Sequence, residues 1–239
     1  MKTKLVLLPG MDGTGDLFAG FIKVLPDPVE VQVVRYPTQF FLSYKELLSL
    51  VRDACPVSEP FALLAESFST PLAIQFAAAN PPNLKRVILC AGFASSPVHG
   101  WKRIIAPFLA PIIFRIPLPE FALSRWLIGP HAPSTLRTAV KAAISSVRAN
   151  VLSARLRAIL ECEVRCELSQ VAIPILFIHA TQDRLIPETC LNGIQRNQPL
   201  TEVATINGPH LILQRRPQKS AAIVSQFLDL CSMVPKTDN

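Results

Sequence analysis

The chain has 239 residues, half of them hydrophobic, with a net charge of +7 and a mean hydropathy of +0.35. Those figures suit one large domain, or a domain carrying a substantial insertion, with enough apolar side chains for a sizeable core. No apolar run is long enough to span a bilayer, which sets a spanning helix aside.

The opening segment has its apolar residues only at 5–8, before Pro9-Gly10, too few for a signal peptide, and reads as the first strand of the fold. Residues 10–15 hold Gly10, Gly13 and Gly15, a loop that permits unusual backbone angles and exposes N–H groups. Asp16 is placed to cap a helix whose Phe18, Phe21, Ile22 and Leu25 share a face. Residues 31–36 form a second strand, ended by Pro37. Ser43 and Glu46 make a capping-box pattern ahead of Leu47, Leu48 and Val51.

Residues 61–79, F-A-L-L-A-E-S-F-S-T-P-L-A-I-Q-F-A-A-A, organise the rest. A mostly apolar strand over 61–65 reaches Glu66-Ser67-Phe68-Ser69, and an apolar helix begins at Pro71 with no connecting loop. A strand running straight into a helix needs a sharp turn, and Ser67 stands at its apex. Small residues at Ala65 and Ser69 let strand and helix approach, and Pro71 suits a first helical turn. A helix-capping serine fits the same residues. Further strands are predicted at 86–90, at 175–180 after Pro174, and at 201–206, with a closing helix at 217–230 and a frayed tail at 235–239. Strands alternating with helices give an α/β fold: a mainly parallel sheet of about six strands, covered on both faces.

Residues 95–169 break the alternation and read as a helical insertion. Helices are expected at 101–115, kinked or broken by Pro107 and Pro111, at 119–128, at 134–147 and at 150–163. The division is a core of residues 1–94 and 170–239 with a cap of 95–169. The cap carries ten basic and four acidic residues, so +6 of the net +7. Arg155 and Arg157 are among them, and attraction of something anionic is expected. Solvated helix faces account for the same charges.

Cys55, Cys90, Cys162, Cys166, Cys190 and Cys231 show no C-x-x-C pattern, and Cys162 and Cys166 have no nearby histidine to complete a metal set. Buried reduced thiols are expected, which points to a cytoplasmic protein.

A serine hydroxyl needs a base to take its proton, and the base needs a third group to orient it. Asp183 follows the strand at 175–180 and His210 follows the strand at 201–206, so both come from the same sheet edge as Ser67. Glu188 rivals Asp183 as the acid. His99, His131 and His179 are weaker candidates for the base. Asp12 and Asp16 flank the glycine loop in turn and cap roles, and Glu66, beside Ser67, is expected to point elsewhere. Gly13-x-Gly15 lacks a full nucleotide-binding fingerprint and a P-loop lysine.

In this order, the glycine loop, the elbow at Ser67, the helical insertion, D-x-x-x-P at 183–187 and G-x-H at 208–210 resemble an α/β-hydrolase. The likeness is to small bacterial serine carboxylesterases with a helical cap, similar to pimeloyl-carrier-protein methyl ester esterases. Both glycines of the family's G-x-S-x-G are replaced here, by Ala65 and Ser69, and the usual N-terminal strand pair is not seen. The resemblance implies a Ser67–His210–Asp183 triad and an oxyanion hole made by the backbone N–H groups of Met11 and Phe68. It implies cleavage of carboxylic esters of small to medium acyl chains through an acyl-enzyme, with no metal and no cofactor. A nucleophilic serine excludes relatives that need an aspartate there, such as haloalkane dehalogenases and epoxide hydrolases. Ile104, Ile105, Phe108, Leu109, Ile112, Ile113, Phe114, Trp126 and Leu127 would roof an acyl pocket, or pack the cap onto the core. Alternatives are a thioesterase or acyltransferase, and a non-catalytic binding protein on the same fold. The partner expected is a small ester, with an acidic acyl-carrier protein or an anionic surface at the basic cap, and no nucleic acid.

Overall fold

The structure, a computed structural model, describes residues 3–98, 100–116 and 119–229. The first strand, β1 (Thr3–Leu8), runs through the glycine loop and a 3-10 turn (Asp16–Phe18) into the short α1 (Ala19–Ile22). β2 (Val29–Val33) and α2 (Tyr44–Ala54) follow. β3 (Phe61–Glu66) passes through a 3-10 turn (Ser67–Ser69) into α3 (Thr70–Ala78), and β4 (Leu84–Cys90) comes next. Between β4 and the fifth strand lie α4 (Trp101–Ile113), α5 (Glu120–Ala122) with a π-helical turn (Leu123–Leu127), α6 (Ser134–Ser145), α7 (Ala149–Glu161) and α8 (Arg165–Ser169). Then come β5 (Ile175–Ala180), α9 (Glu188–Asn197), β6 (Glu202–Ile206), α10 (Ile212–Arg215) and α11 (Pro217–Phe227).

The six strands form one sheet, ordered β2-β1-β3-β4-β5-β6, with every neighbouring pair parallel. The unbroken apolar runs in the central strands follow from burial on both faces. Val6, Leu8, Leu63, Val87 and Leu89 meet Leu47 and Val51 of α2, Leu72 and Phe76 of α3, and Ile194 of α9. Their alternate neighbours, Leu5, Leu7, Leu64 and Ile88, meet Phe18, Phe21, Leu213, Val224 and Phe227 on the opposite face. The chain winds one way from β1 to β2 and the other way from β3 onward. A crevice therefore opens above the carboxyl ends of β1 and β3, where open α/β sheets bind ligands.

The predicted strands are present, with ends shifted by up to three residues. The Ser43–Glu46 capping box forms with both reciprocal bonds. Asp16 departs from expectation. Gly15, in the left-handed region at φ 74°, takes the cap position, while the Asp16 carboxylate pairs with Arg35 at 2.7 Å. The helix runs unbroken from Trp101 to Ile113 through both Pro107 and Pro111. The helices α8, α9 and α10 were not foreseen, and α8 and α10 are too short to show periodicity. An antiparallel bridge between Ser95 and Glu163 joins the two ends of the inserted segment. His99, Cys231 and the tail at 235–239 lie outside the described residues.

Candidate active site

At the end of β3 the backbone reverses abruptly. Glu66 is extended, at φ −104° and ψ 130°, and Ser67 then takes φ +49°. A left-handed non-glycine residue costs on the order of 1–3 kcal/mol and persists only where its surroundings hold it. Here Thr70 does so: its hydroxyl donates to the Ser67 carbonyl at 2.8 Å and accepts the Phe93 N–H at 3.0 Å, tying the turn to the segment after β4. Ser69 explains one lost glycine. Its buried hydroxyl donates to the Pro9 carbonyl and accepts from the Tyr36 hydroxyl at 2.7 Å, so it bolts the elbow to the glycine loop. That role left no signal in the sequence beyond a small residue.

The turn brings Ser67 Oγ to 3.0 Å from His210 Nε2, and His210 Nδ1 lies 2.7 Å from Asp183 Oδ2. With Asp183 accepting from Nδ1–H, Nε2 is left to accept the serine proton. The other carboxylate oxygen of Asp183 accepts the N–H groups of Leu185 and Ile186 at 2.8 and 2.9 Å, which fixes its plane. The structure brings Asp183, and not Glu188, to the imidazole; Glu188 sits exposed at the start of α9. The loops carrying acid and base are tied by the Gln182 N–H donating to the Gly208 carbonyl at 2.9 Å. A side chain at Gly208 would have to displace the buried Ile212, since a Cβ there would lie 2.4 Å from Ile212 Cδ1. Burial works against a charged His210, but the charge and hydrogen bond of Asp183, aided by the charge of Glu66, outweigh it. The ring's pKa is raised above its ordinary 6.5.

The glycine loop is held from an unexpected direction. Arg155 of α7 is buried, and its guanidinium donates to the carbonyls of Met11 (2.8 Å), Asp12 (2.9 Å) and Pro37 (2.8 Å). It also lies over the rings of Tyr36 and Phe68, at 5.8 and 5.9 Å from their centroids. The expectation that Arg155 presents charge to solvent is therefore corrected: three backbone carbonyls and two rings draw it inward. Arg157 is exposed. Gly13, at φ 72°, is required twice over, because a Cβ would fall 2.7 Å from Arg155 Nη1. Asp12 turns back to accept the Thr14 N–H and hydroxyl at 2.9 and 2.5 Å.

Glu66 lies beneath the site, buried, with Oε2 accepting from Gln214 Nε2 at 3.1 Å and Oε1 without a partner. Burial, opposed by the charge of His210 and the bond from Gln214, pushes its carboxyl up to about 7. His179 is half-buried in β5 beside Phe177, and His131 occupies a left-handed turn at φ 55°. Among the described residues no group of three His, Cys, Asp or Glu is arranged to hold a metal.

Two sets of hydrogen bonds tie the inserted segment to the site. Arg155 grips the glycine loop, and the π-helical turn meets the histidine loop, where the Leu211 N–H donates to the Leu127 carbonyl at 3.0 Å. Arg215 of α10 reinforces this by donating to the Ile128 carbonyl at 3.1 Å. The expected acyl-pocket roof is only partly of that kind. Phe114 packs with Val147, Val151 and Met11, and Leu127 packs with Leu211. Ile105, Phe108, Leu109 and Trp126 are exposed instead, because α4 turns its small Ala110 inward. The side chains of Ile104, Ile112 and Ile113 lie outside the described residues. A cleft of about 510 Å³ between α2, α3 and α7, lined by Tyr44, Gln75 and Arg157 among others, includes none of Ser67, Asp183 and His210.

The sequence pattern of the serine aminopeptidase, S33 family (Hydrolase_4) matches residues 34–206, a span that contains Ser67 and Asp183 and stops before His210. The chain belongs to this family. The fold of this S33 hydrolase is shared with a hydrolase from Pseudomonas aeruginosa PA01, at 17% identity and TM-score 0.77 over 95% of this chain and 90% of that one. An enol-lactonase from Burkholderia xenovorans LB400 is 15% identical with a TM-score of 0.78, over 96% and 92% of the two chains. A lipase-esterase related protein from Clostridium acetobutylicum ATCC 824 is 14% identical, with a TM-score of 0.77 over 94% of each. At such identities the likeness shows the fold, that of the α/β-hydrolases. No curated protein matches the S33 hydrolase chain.

Proposed function

We propose that this hydrolase cleaves carboxylic esters through an acyl-enzyme, with Ser67 as nucleophile, His210 as general base and Asp183 as the group that orients and charges against the imidazolium. The observation that carries the reading is the continuous chain from Ser67 Oγ through His210 to Asp183, at 3.0 and 2.7 Å, set on a backbone turned to φ +49°. In the first step His210 Nε2 takes the hydroxyl proton as Ser67 Oγ bonds to the ester carbonyl carbon. The negative oxygen is received by the N–H groups of Met11 and Phe68. Phe68 stands in the first turn of a helical run, where N–H groups have no intrahelical acceptor. His210 then returns the proton to the departing alkoxide, and the C–O bond breaks. A water molecule, deprotonated by His210, releases the acid and restores Ser67.

Hydrolysis of aminoacyl substrates would call for an anionic group facing the substrate's ammonium. The carboxylates around the elbow and glycine loop, Asp12 and Glu66, are turned instead to Thr14 and Gln214, which supports an ester. Residues 95–169 act as the cap over this site. Cys55, Cys90, Cys162 and Cys190 are buried free thiols, as a reducing, cytoplasmic setting would leave them, while Cys166 is exposed.

The experiment is labelling with a fluorophosphonate probe alongside turnover of p-nitrophenyl esters of rising chain length and of acyl thioesters. Ser67→Ala is expected to lose both label and turnover while melting within a few degrees of the parent. Retention of more than trace turnover in that variant would sink the mechanism, and faster turnover of thioesters than esters would move the substrate class.

A further inference from the structure

The helix α4 turns several large apolar side chains to solvent. Its small Ala110 is fully buried, and the helix leans on α7, whereas Trp101, Ile105, Phe108 and Leu109 stand in solvent. At about 100° per residue these four fall within a stripe of roughly 100° on one side of the helix. Exposure reaches 66% at Trp101 and 77% at Phe108. The chain beyond α4 continues the pattern with Ile116, Phe121 (74% exposed) and Trp126. A lone exposed apolar residue needs no explanation, but a stripe of this kind marks a surface that something covers.

The charges interleaved with these rings identify what covers them. Arg115 and Arg125 are exposed near them, and the Arg125 guanidinium lies 5.4 Å from the Trp126 ring centroid; Arg103 falls on the opposite side of α4, toward Glu163. Between 101 and 127 the sequence has one acidic residue, Glu120, and Lys141 pairs with it. No ion pair among the described residues engages Arg115 or Arg125. Tryptophan and phenylalanine on one face with arginine beside them is the chemistry of an interfacial helix at an anionic lipid surface.

We propose that this face docks the protein on an anionic bilayer, with Trp101, Phe108 and Phe121 entering the boundary between headgroups and acyl chains while Arg115 and Arg125 meet lipid phosphates. A second copy of the chain is a poor occupant, since a two-fold contact would set these arginines against their own kind. Rings that protrude from a helix need a partner that yields around them, and a fluid bilayer does. The face adjoins the site already described. Phe114, just past α4, packs in one cluster with Met11, and the turn bearing Trp126 accepts the Leu211 N–H beside His210. Docking thus brings the crevice to the lipid surface. The proposal concerns binding and goes beyond the ester-cleavage reading, standing or falling separately from it.

The chain has two tryptophans, Trp101 and Trp126, both on this face, so its intrinsic fluorescence is the reporter. The full chain is mixed with vesicles of phosphatidylcholine and phosphatidylglycerol in equal parts, and with vesicles of phosphatidylcholine alone. Expected with the anionic vesicles are a blue shift of tryptophan emission and co-sedimentation, both reversed by added salt and much weaker on the neutral vesicles. Arg115→Ser and Arg125→Ser should each weaken partitioning about fivefold, the equivalent of about 1 kcal/mol. The double variant Phe108→Ser, Phe121→Ser should abolish the shift while keeping the parent's circular dichroism, since both rings are exposed. Ser67→Ala should bind vesicles as the parent does, which separates a failure of docking from a failure of catalysis. Protein that stays in the supernatant with unshifted emission overturns the proposal. So does a blue shift that grows with protein concentration in the absence of lipid, which would make the face a self-association surface.

Discussion

Replacing Arg155 by methionine tests whether the inserted helices take part in catalysis by shaping the glycine loop. The guanidinium makes three hydrogen bonds to the backbone carbonyls of Met11, Asp12 and Pro37, all at 2.8 or 2.9 Å. A hydrogen bond from a charged donor contributes about 1.5–3 kcal/mol, so the gross contribution is several kcal/mol. Against it stands the cost of burying the ion, visible in a pKa lowered chiefly by burial and in an Nε without a partner. Removing the charge leaves one buried and two half-buried carbonyls without their donor, and the net loss expected for Arg155→Met is about 3–5 kcal/mol. For a chain of this length that lowers Tm by about 6–20 °C. Loosening Met11 would also misplace a donor of the proposed oxyanion hole, so kcat should fall about 10²-fold or more. KM should move far less, because a merely unstable but intact site would keep kcat at temperatures below the transition. Arg155→Lys keeps the charge without the planar fork and should fall between the two. The assay is a thermal melt by circular dichroism, followed by steady-state kinetics on a p-nitrophenyl ester well below the variant's Tm. A methionine variant that melts with the parent and keeps the parent's kcat would refute the claim that Arg155 holds this loop.

Asp183→Asn should lower kcat by about 10⁴-fold through loss of the orienting charge on His210, whereas Glu188→Gln, exposed at the start of α9, should leave kcat unchanged; the reverse ranking in steady-state kinetics would reassign the acid. Because Asp183 and Glu66 raise the His210 pKa, the ring keeps its proton to a higher pH, and kcat/KM should fall on the acid side through a value above 6.5. In Glu66→Gln that limb should shift to lower pH, and a pH–rate profile with an unmoved limb would rule out the coupling. Glu66 itself holds a proton up to about pH 7 when folded but releases it near 4.5 when unfolded, so its effect is to lower stability as pH rises across that window. Glu66→Gln should therefore be more stable than the parent by about 3 kcal/mol above pH 7 and little different below pH 4.5, as read from urea unfolding at the two pH values.

Much of the molecule was legible in the order of its residues. Four apolar runs define the central strands β1, β3, β4 and β5, because a strand buried on both faces admits little else, and the shorter, more polar runs between turn residues mark the edge strands β2 and β6. The run of apolar strand, Ser67 and Pro71 without a connecting loop implies a sharp turn by length alone, and positions just past β5 and β6 put Asp183 and His210 on the same edge. Those inferences hold because strand direction and chain order are local properties. Which acid faces His210 was not local: Asp183 and Glu188 are both carboxylates near one loop, and only the bonds from Leu185 and Ile186 turn the first toward the imidazole. The same limit applies to Ser69, which reads as a replaced glycine yet joins Pro9 to Tyr36 across the crevice. Arg155 and the apolar residues of α4 were read in the opposite sense to their placement. A basic helical residue is ordinarily solvated and an apolar one buried, but here three carbonyls draw the arginine in, and α4 buries its small Ala110 while the rings of Trp101 and Phe108 face out. Whether a side chain faces core or solvent depends on which helix face the neighbouring elements leave free, and that is decided only when the chain is folded.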